Sequence, residues 1–506
     1  MFGRLKRIFS KPKPWKWSGT ARQADSPAKE PASASAINLR RWESGKTNRL
    51  NSAHWTPVTG QTINQDLKSY LETIRTRAEF EVATNSLAEG AINTHQVDMV
   101  GENGPLLQVL SDNPDYNAKL EEVWADFWEN PDINGQLPGP ELLKLWLRTL
   151  WTAGEFVAQV VTDRSAKGTI RTRLHNLNPR RLGTLDTTAI DDKVIMGVER
   201  TATGKPIAYH IDKSPETDLS QTPKVVRILA KNIIHEFHHL EAGQARGIPW
   251  LSASLQDVAD LRDYDNEVLD AARAAADSGN LIHTTHPDVE PVVVEESCEI
   301  ERRTNTVLPP GYTATQMTPQ QPSTQYNDYH DELVRRLGSY VAMPLMIIKH
   351  DSRKHNYSSA RFDDQGYNRA NKTLQGWLAR RVLNRLVEMV ATEAERAGVL
   401  KRPERVKYKW TWPARPHVDD QKEAKGSSER LANCTSSLRD ECAALGKDWE
   451  ELIEQQGREK KALEAQELPS PFGRIGKGLV GEEDDGDDDQ ETTETKSDER
   501  LAYYYP

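Results

Sequence analysis

Apolar positions between about Asn64 and Val100 recur at three- and four-residue steps through Leu67, Tyr70, Leu71, Ile74, Ala78, Val82, Leu87, Ala91 and Ile92. That is the period of one buried helix face, and the stretch is long enough to predict two helices. The same spacing predicts a helix over Asn117 to Trp128 and another over Pro140 to Ala153, the second carried by Leu142, Leu143, Leu145, Trp146 and Leu150. After Gly154 the pattern shortens to alternation. The runs Phe156 to Val161, Arg171 to Leu177, Val194 to Val198, Ile207 to Ile211 and Val225 to Leu229, separated by Gly, Pro and Asn/Asp clusters, predict strands.

Helical spacing returns at Leu251 and continues to about Ala276 through Leu255, Val258, Leu261, Tyr264 and Val268. A small β-like unit follows, with Val292-Val293-Val294 as strand and Pro309-Pro310-Gly311 as turn. A helix from Tyr326 to Tyr340 stops before Pro344, because the residue preceding a proline avoids the helical region. Beyond a polar loop, a long helix is predicted from about Ser359 to Ala397, with Gly398 as its cap. Tyr408 to Trp412 reads as a last strand, Pro413 to Gly426 as a hinge and Ser428 to Gln456 as a helical pair. The ends differ in kind. A basic start (Arg4, Lys6, Arg7, Lys11, Lys13, Lys16) and a Ser/Ala/Pro-rich stretch predict a flexible arm, and the acidic run Glu482 to Asp489 predicts a disordered tail.

A chain of 506 residues is expected to hold two or three structural units. It contains no apolar run near the roughly 18 residues of a membrane span, and Met1 to Arg7 lack the apolar core of a signal peptide, so the expectation is an intracellular protein with no membrane partner. Cys298, Cys434 and Cys442 form no C-x-x-C pair and suggest no disulfide framework. A net charge of −10 argues against gripping nucleic acid over the whole surface and leaves room only for local contact.

The string His235-Glu236-Phe237-His238-His239 is a literal H-E-x-x-H, which on a helix would set two histidines one turn apart around zinc with the glutamate activating water. It ends a β-branched run (Val225, Val226, Ile228, Ile233, Ile234), and Gly243, Gly247 and Pro249 follow, so strand or loop geometry is expected to separate His235 from His239. A zinc-dependent hydrolase using His235, Glu236 and His239 is therefore the minor alternative, beside a DNA-binding adaptor acting through the basic arm. No G-x-x-x-x-G-K-[ST] loop and no G-x-S-x-G elbow occurs, and no cofactor is called for. One segment remains. Lys349, His350, Arg353, Lys354, His355 and Asn356, with Arg361 just beyond, are dense in cations and donors of the sort that touch phosphate without reading bases. The competing reading is an ordinary solvated loop.

The order of several short strings resembles lambda-family phage portal proteins. Ile74 to Ala78, Thr84 to Ile92 and Val97 to Gly101 are similar to the family's opening. Gly154-Glu155-Phe156, Gly197-Val198-Glu199, Gly204 to Tyr209 and Gln244-Ala245-Arg246-Gly247-Ile248-Pro249-Trp250 look like its wing segments, and Met343-Pro344 and Asn356 to Arg361 like its most recognisable stretch. The resemblance covers roughly residues 60 to 425.

It implies an α+β portal fold. The arm is expected over 1–55, an α/β wing over 56–251, stem helices over 252–278 and 324–342 around a small clip over 279–323, and a tunnel loop over 343–360. A long kinked helix with a return strand (361–414), crown helices (415–457) and an acidic tail (458–506) complete it. The implied function is structural and non-enzymatic: a ring, twelve-fold in the family, at a capsid vertex through which double-stranded DNA is packaged and ejected. The implied partners are the terminase large subunit, head-tail adaptor proteins, the major capsid protein and scaffold or head protease. The implied location is the virion, after assembly in the host cytoplasm, and the loop from Lys349 to Arg361 is expected to face the DNA channel.

Overall fold

The computed structural model describes residues 62–166, 168–183, 193–214, 224–276, 280–284, 312–316, 325–414, 420–466 and 468. The expected arm, the Val292 to Gly311 strand and turn, and the acidic tail lie outside these residues.

Two helices, α1 (Ile63–Thr84) and α2 (Ser86–Val100), meet at Asn85, whose extended backbone breaks the helix while its side chain accepts from the Leu87 and Ala88 amides. The buried stripe of α1 is Leu67, Leu71, Arg75, Ala78 and Val82; Tyr70, read from periodicity as a core position, is exposed. Next come β1 (Leu106–Leu110), α3 (Pro114–Glu129) and α4 (Gly139–Thr152). Strands β2 (Glu155–Thr162) and β3 (Thr172–Leu177) pair antiparallel, and the stretch Val194 to Val198 is not one strand but the hairpin of β4 (Val194–Ile195) and β5 (Val198–Arg200). Met196 (φ 47°) and Gly197 (φ 83°) make its two-residue turn. Strands β6 (Pro206–Asp212) and β7 (Val225–Leu229) complete a four-stranded sheet in the order β4-β5-β6-β7, while β8 (Ile233–Phe237) joins β2 to give β3-β2-β8.

A 3-10 turn at Trp250–Ala253 leads into α5 (Leu255–Ala276), so the helix expected from 252 starts one turn later. Strands β9 (Asn280–Thr284) and β10 (Tyr312–Gln316) form an antiparallel pair, and α6 (Tyr326–Gly338) returns along α5. The segment 343–360, expected to be a loop, contains the one-turn α7 (Leu345–Ile348) and the start of α8 (Tyr357–Leu378). The helix starts that early because Asn356 caps it reciprocally with Ser359. A π turn at Ala379–Leu383 links α8 to α9 (Asn384–Arg396), and Gly398 takes the left-handed conformation (φ 75°) just past the end.

Strand β11 (Lys407–Thr411) pairs antiparallel with β1, from Leu106 opposite Thr411 to Leu110 opposite Lys407. The sequence reading passed over β1 because Leu107, Gln108 and Val109 are all buried, which hides the alternation. The last described elements are three helices rather than a hinge and a pair: α10 (Asp420–Ala432), α11 (Leu438–Ala444) and α12 (Trp449–Ala465). Helix α12 runs past the expected boundary at 457. No side chain of it is buried, so its last turns rest on good helix formers and on pairs such as Arg458 with Glu454.

The main core lies among α2, α3, α4, α8 and α9, with Trp146 stacked on Phe156 at 4.7 Å between ring centres. A smaller one, with Val157, Leu182, Val198, Tyr209, Ile211, Ile228 and Ile233, lies between the three- and four-stranded sheets.

Candidate functional site

Four of the predicted loop cations and donors serve the loop itself. Lys349 Nζ lies 2.5 Å and Lys354 Nζ 2.9 Å from the two carboxylate oxygens of Asp331, which α6 presents from a buried position. Burial works to raise the Asp331 carboxyl; the two ammonium groups outweigh it and hold it below its ordinary value. Arg353 folds onto Asp351, its guanidinium 2.7 Å from the carboxylate, yet its side chain stays 89% exposed. Asn356 is spent on capping α8.

The other three touch their surroundings lightly. His350, at φ 50°, brings Nε2 within 3.3 Å of the Thr94 hydroxyl, and His355 Nδ1 is 3.9 Å from Asp363. Among the described residues Arg361 reaches the hydroxyl of Tyr357 alone, at 3.5 Å. The structure therefore brings the predicted residues together as one braced turn, with Lys349 as a strut and Arg353 and Arg361 left on the surface.

A second polar centre lies inside the fold and was not predicted as a set. Glu155, at the start of β2, is fully buried. Its Oε1 accepts from Arg75 Nη2 at 2.8 Å and Arg246 Nε at 2.7 Å, and its Oε2 accepts from the Gly247 amide at 2.6 Å with His235 Nε2 at 3.0 Å. Both arginines are buried too. Arg75 also donates to Ala153 O, and Arg246 to the carbonyls of Pro179, Leu182 and Met196. Burial alone would raise the Glu155 carboxyl, but Arg246, Arg75 and His235 hold it well below the usual carboxylate range. Burial lowers His235 despite its contact with Glu155.

One carboxylate thus joins α1, β2, β8, the Gln244-Ala245-Arg246-Gly247 loop and the β4-β5 hairpin. The backbone is as constrained as the charges: a Cβ on Gly247 would stand 2.1 Å from Gly154 O, and one on Gly154 (φ 82°) 2.1 Å from the Ile248 carbonyl carbon. The signal for this centre was present in Arg75, which sits on the apolar stripe of α1 between Leu71 and Ala78.

The H-E-x-x-H string falls on β8 and the turn after it, not on a helix. His235 points at Glu155, while Glu236, its strand neighbour, takes Arg381 Nε at 2.8 Å on the other face. His239 lies edge-on to Phe237. Among the described residues no three His, Cys, Asp or Glu side chains gather as a metal would require, and the zinc-hydrolase alternative has no support.

The buried charged centre is spent on locking the layers of the fold together. The chain belongs to the lambda family of phage portal proteins: the family model described as "Phage portal protein, lambda family" matches residues 48–375. It is 24% identical to the probable portal protein of Halomonas phage phiHAP-1, over 98% of this chain and 100% of that one. Against portal protein B of Escherichia phage lambda the identity is 22%, over 88% and 93%. Among solved structures it is similar to a chain in the virion of a native gene transfer agent particle, at 15% identity and a TM-score of 0.42, covering 74% of this chain and 93% of that one. The protein is therefore a structural portal protein of a virion and not an enzyme.

Proposed function

We propose that the chain forms a closed, twelve-fold ring at one vertex of the head, that double-stranded DNA enters and leaves through its centre, and that the braced turn from Lys349 to Arg361 faces that passage. In this reading α5 and α6 are the stem, between the wing and the clip, and α10 to α12 belong to the crown. The terminase large subunit docks first and head-tail adaptor proteins later, the major capsid protein surrounds the ring, and assembly takes place in the host cytoplasm.

The observation that carries the channel role is the turn's construction. Lys349 and Lys354 both pair with buried Asp331 and so tie the turn to α6, while Arg353 stays exposed. A braced turn offering few exposed cations suits DNA that must be confined and still slide, because each neutralised phosphate steepens the salt dependence of binding. Negative-stain imaging of purified protein should show rings with a central hole; uniform monomers would overturn the reading. Arg353→Ala should leave those rings intact and reduce packaged or retained DNA, and unchanged packaging would remove the turn from the DNA path.

A further inference from the structure

Helix α5 divides its carboxylates between two faces. Asp257 and Asp265 turn toward α6, where Asp257 takes Arg336 at 2.9 Å and Asp265 accepts from the Tyr326 hydroxyl at 2.8 Å. Asp260, Asp263, Glu267 and Asp270 lie on the exposed face, at alternating steps of three and four residues, and so form one straight stripe. The described partners of that stripe lie on α5 itself: Gln256 for Asp260, Arg262 for Asp263 and Arg273 for Asp270. Leu269, beside it, is 48% exposed.

The exposed face of α8 has the opposite character. Arg361, Arg369 and Lys372 stand on it with Gln365, the half-buried Asp363 and Asp364 flank it, and among the described residues no carboxylate forms an ion pair with any of the three cations. Phe362, next to Arg361, is 76% exposed and borders a groove of about 370 Å³ lined by Met343, Pro344, Leu345 and Gly366 together with the polar Arg335, His355 and Asp363. The two stripes agree in length: at 1.5 Å per residue, Asp260 to Asp270 spans about 15 Å and Arg361 to Lys372 about 16 Å.

We infer that the basic face of α8 receives the acidic stripe of α5 from a second copy of the chain, with Phe362 and Leu269 as the apolar contacts beside the charges. This rests on the ring reading above. A closed ring needs two different surfaces on each subunit, one to give and one to receive, and these are two exposed faces of matching extent and opposite sign. Both stripes lie outside the core, so reversing their charge leaves the buried packing untouched.

The test is charge reversal in the full chain, read by sedimentation velocity and negative-stain imaging, with circular dichroism and melting temperature as folding controls. Arg361→Glu/Arg369→Glu/Lys372→Glu should abolish rings, and so should Asp263→Lys/Glu267→Lys/Asp270→Lys. Carrying both sets on one chain restores opposite signs across each contact and should bring the rings back. Folded reversal variants that still form wild-type rings would overturn the pairing and leave the ring reading standing, whereas a monomeric wild type would overturn both. Normal rings that had lost DNA retention in the α8 variant would place that face on the nucleic acid instead, and would also overturn the inference.

Discussion

Glu155→Gln keeps the shape of the side chain and removes only its charge, so it isolates what the buried carboxylate does. Two guanidinium groups, each 2% exposed, would remain inside with no counter-charge, although Arg75 would keep Ala153 O and Arg246 its three backbone carbonyls. The new amide also brings an NH₂ group to a site where Arg75, Arg246 and the Gly247 amide all donate. Each lost attraction is worth about 4 kcal/mol gross at an effective dielectric of about 20. Removing one partner of a buried pair typically costs about 3–5 kcal/mol net. Spread over a cooperative unit of roughly 200 residues, that lowers the melting temperature by on the order of 10 °C.

Differential scanning calorimetry of the purified protein measures the shift. Because the folded carboxyl titrates well below its ordinary value, its contribution is fully present above the unfolded value near pH 4.5 and is lost only as pH falls through the folded one. The deficit of the variant should therefore be constant from pH 8 to the ordinary histidine value of 6.5 and widen below it, because without Glu155 burial holds His235 lower still. Arg75→Met added to Glu155→Gln should cost less than Arg75→Met alone, since it removes a charge the first change had stranded. A melting temperature within about 2 °C of wild type, or additive losses, would refute the argument that this carboxylate locks the layers together.

His95 is fully buried, its Nδ1 accepts from Trp151 Nε1 at 2.9 Å, and burial lowers it to about 4. Its neutral form therefore supports the fold above about pH 6.5, and that support drains away as pH falls toward 4, by about 3 kcal/mol in all. His95→Gln, which can still accept from Trp151, should flatten this part of the unfolding profile; parallel profiles would contradict it. Gly247→Ala forces a Cβ to within 2.1 Å of Gly154 O and should cost about 3 kcal/mol or more, seen as loss of soluble protein or a much lower melting temperature. Lys349→Ala, which strips a partner from buried Asp331, should destabilise by about 1–3 kcal/mol, whereas Arg353→Ala, on an exposed pair, should stay within about 0.5 kcal/mol by urea unfolding.

The helices were legible because a buried face repeats every three or four residues, and α1 to α4, α5, α6 and the long α8–α9 run were found this way. What escaped did so where the period carries no information. Strand β1 buries three consecutive residues, and the last turns of α12 bury none, so neither shows an alternation to read. The hairpin at Met196-Gly197 looks like one apolar run until the positive φ angles divide it.

The candidate loop was found from its cations, but cations do not announce their partners. Whether Lys349 faces DNA or Asp331 depends on α6, which lies before the loop in sequence and beside it only in the fold. The central charged knot is the strongest case. Arg75, Glu155, His235 and Arg246 come from four elements, and each alone reads as a motif letter or, for His235, as a zinc ligand. Only when β2 and β8 pair, setting Val157 opposite His235, do the four converge on one carboxylate. The H-E-x-x-H string and the Gln-x-Arg-Gly loop then supply three partners of the same buried glutamate, His235, Arg246 and the Gly247 amide, which gives both strings a structural reason to exist.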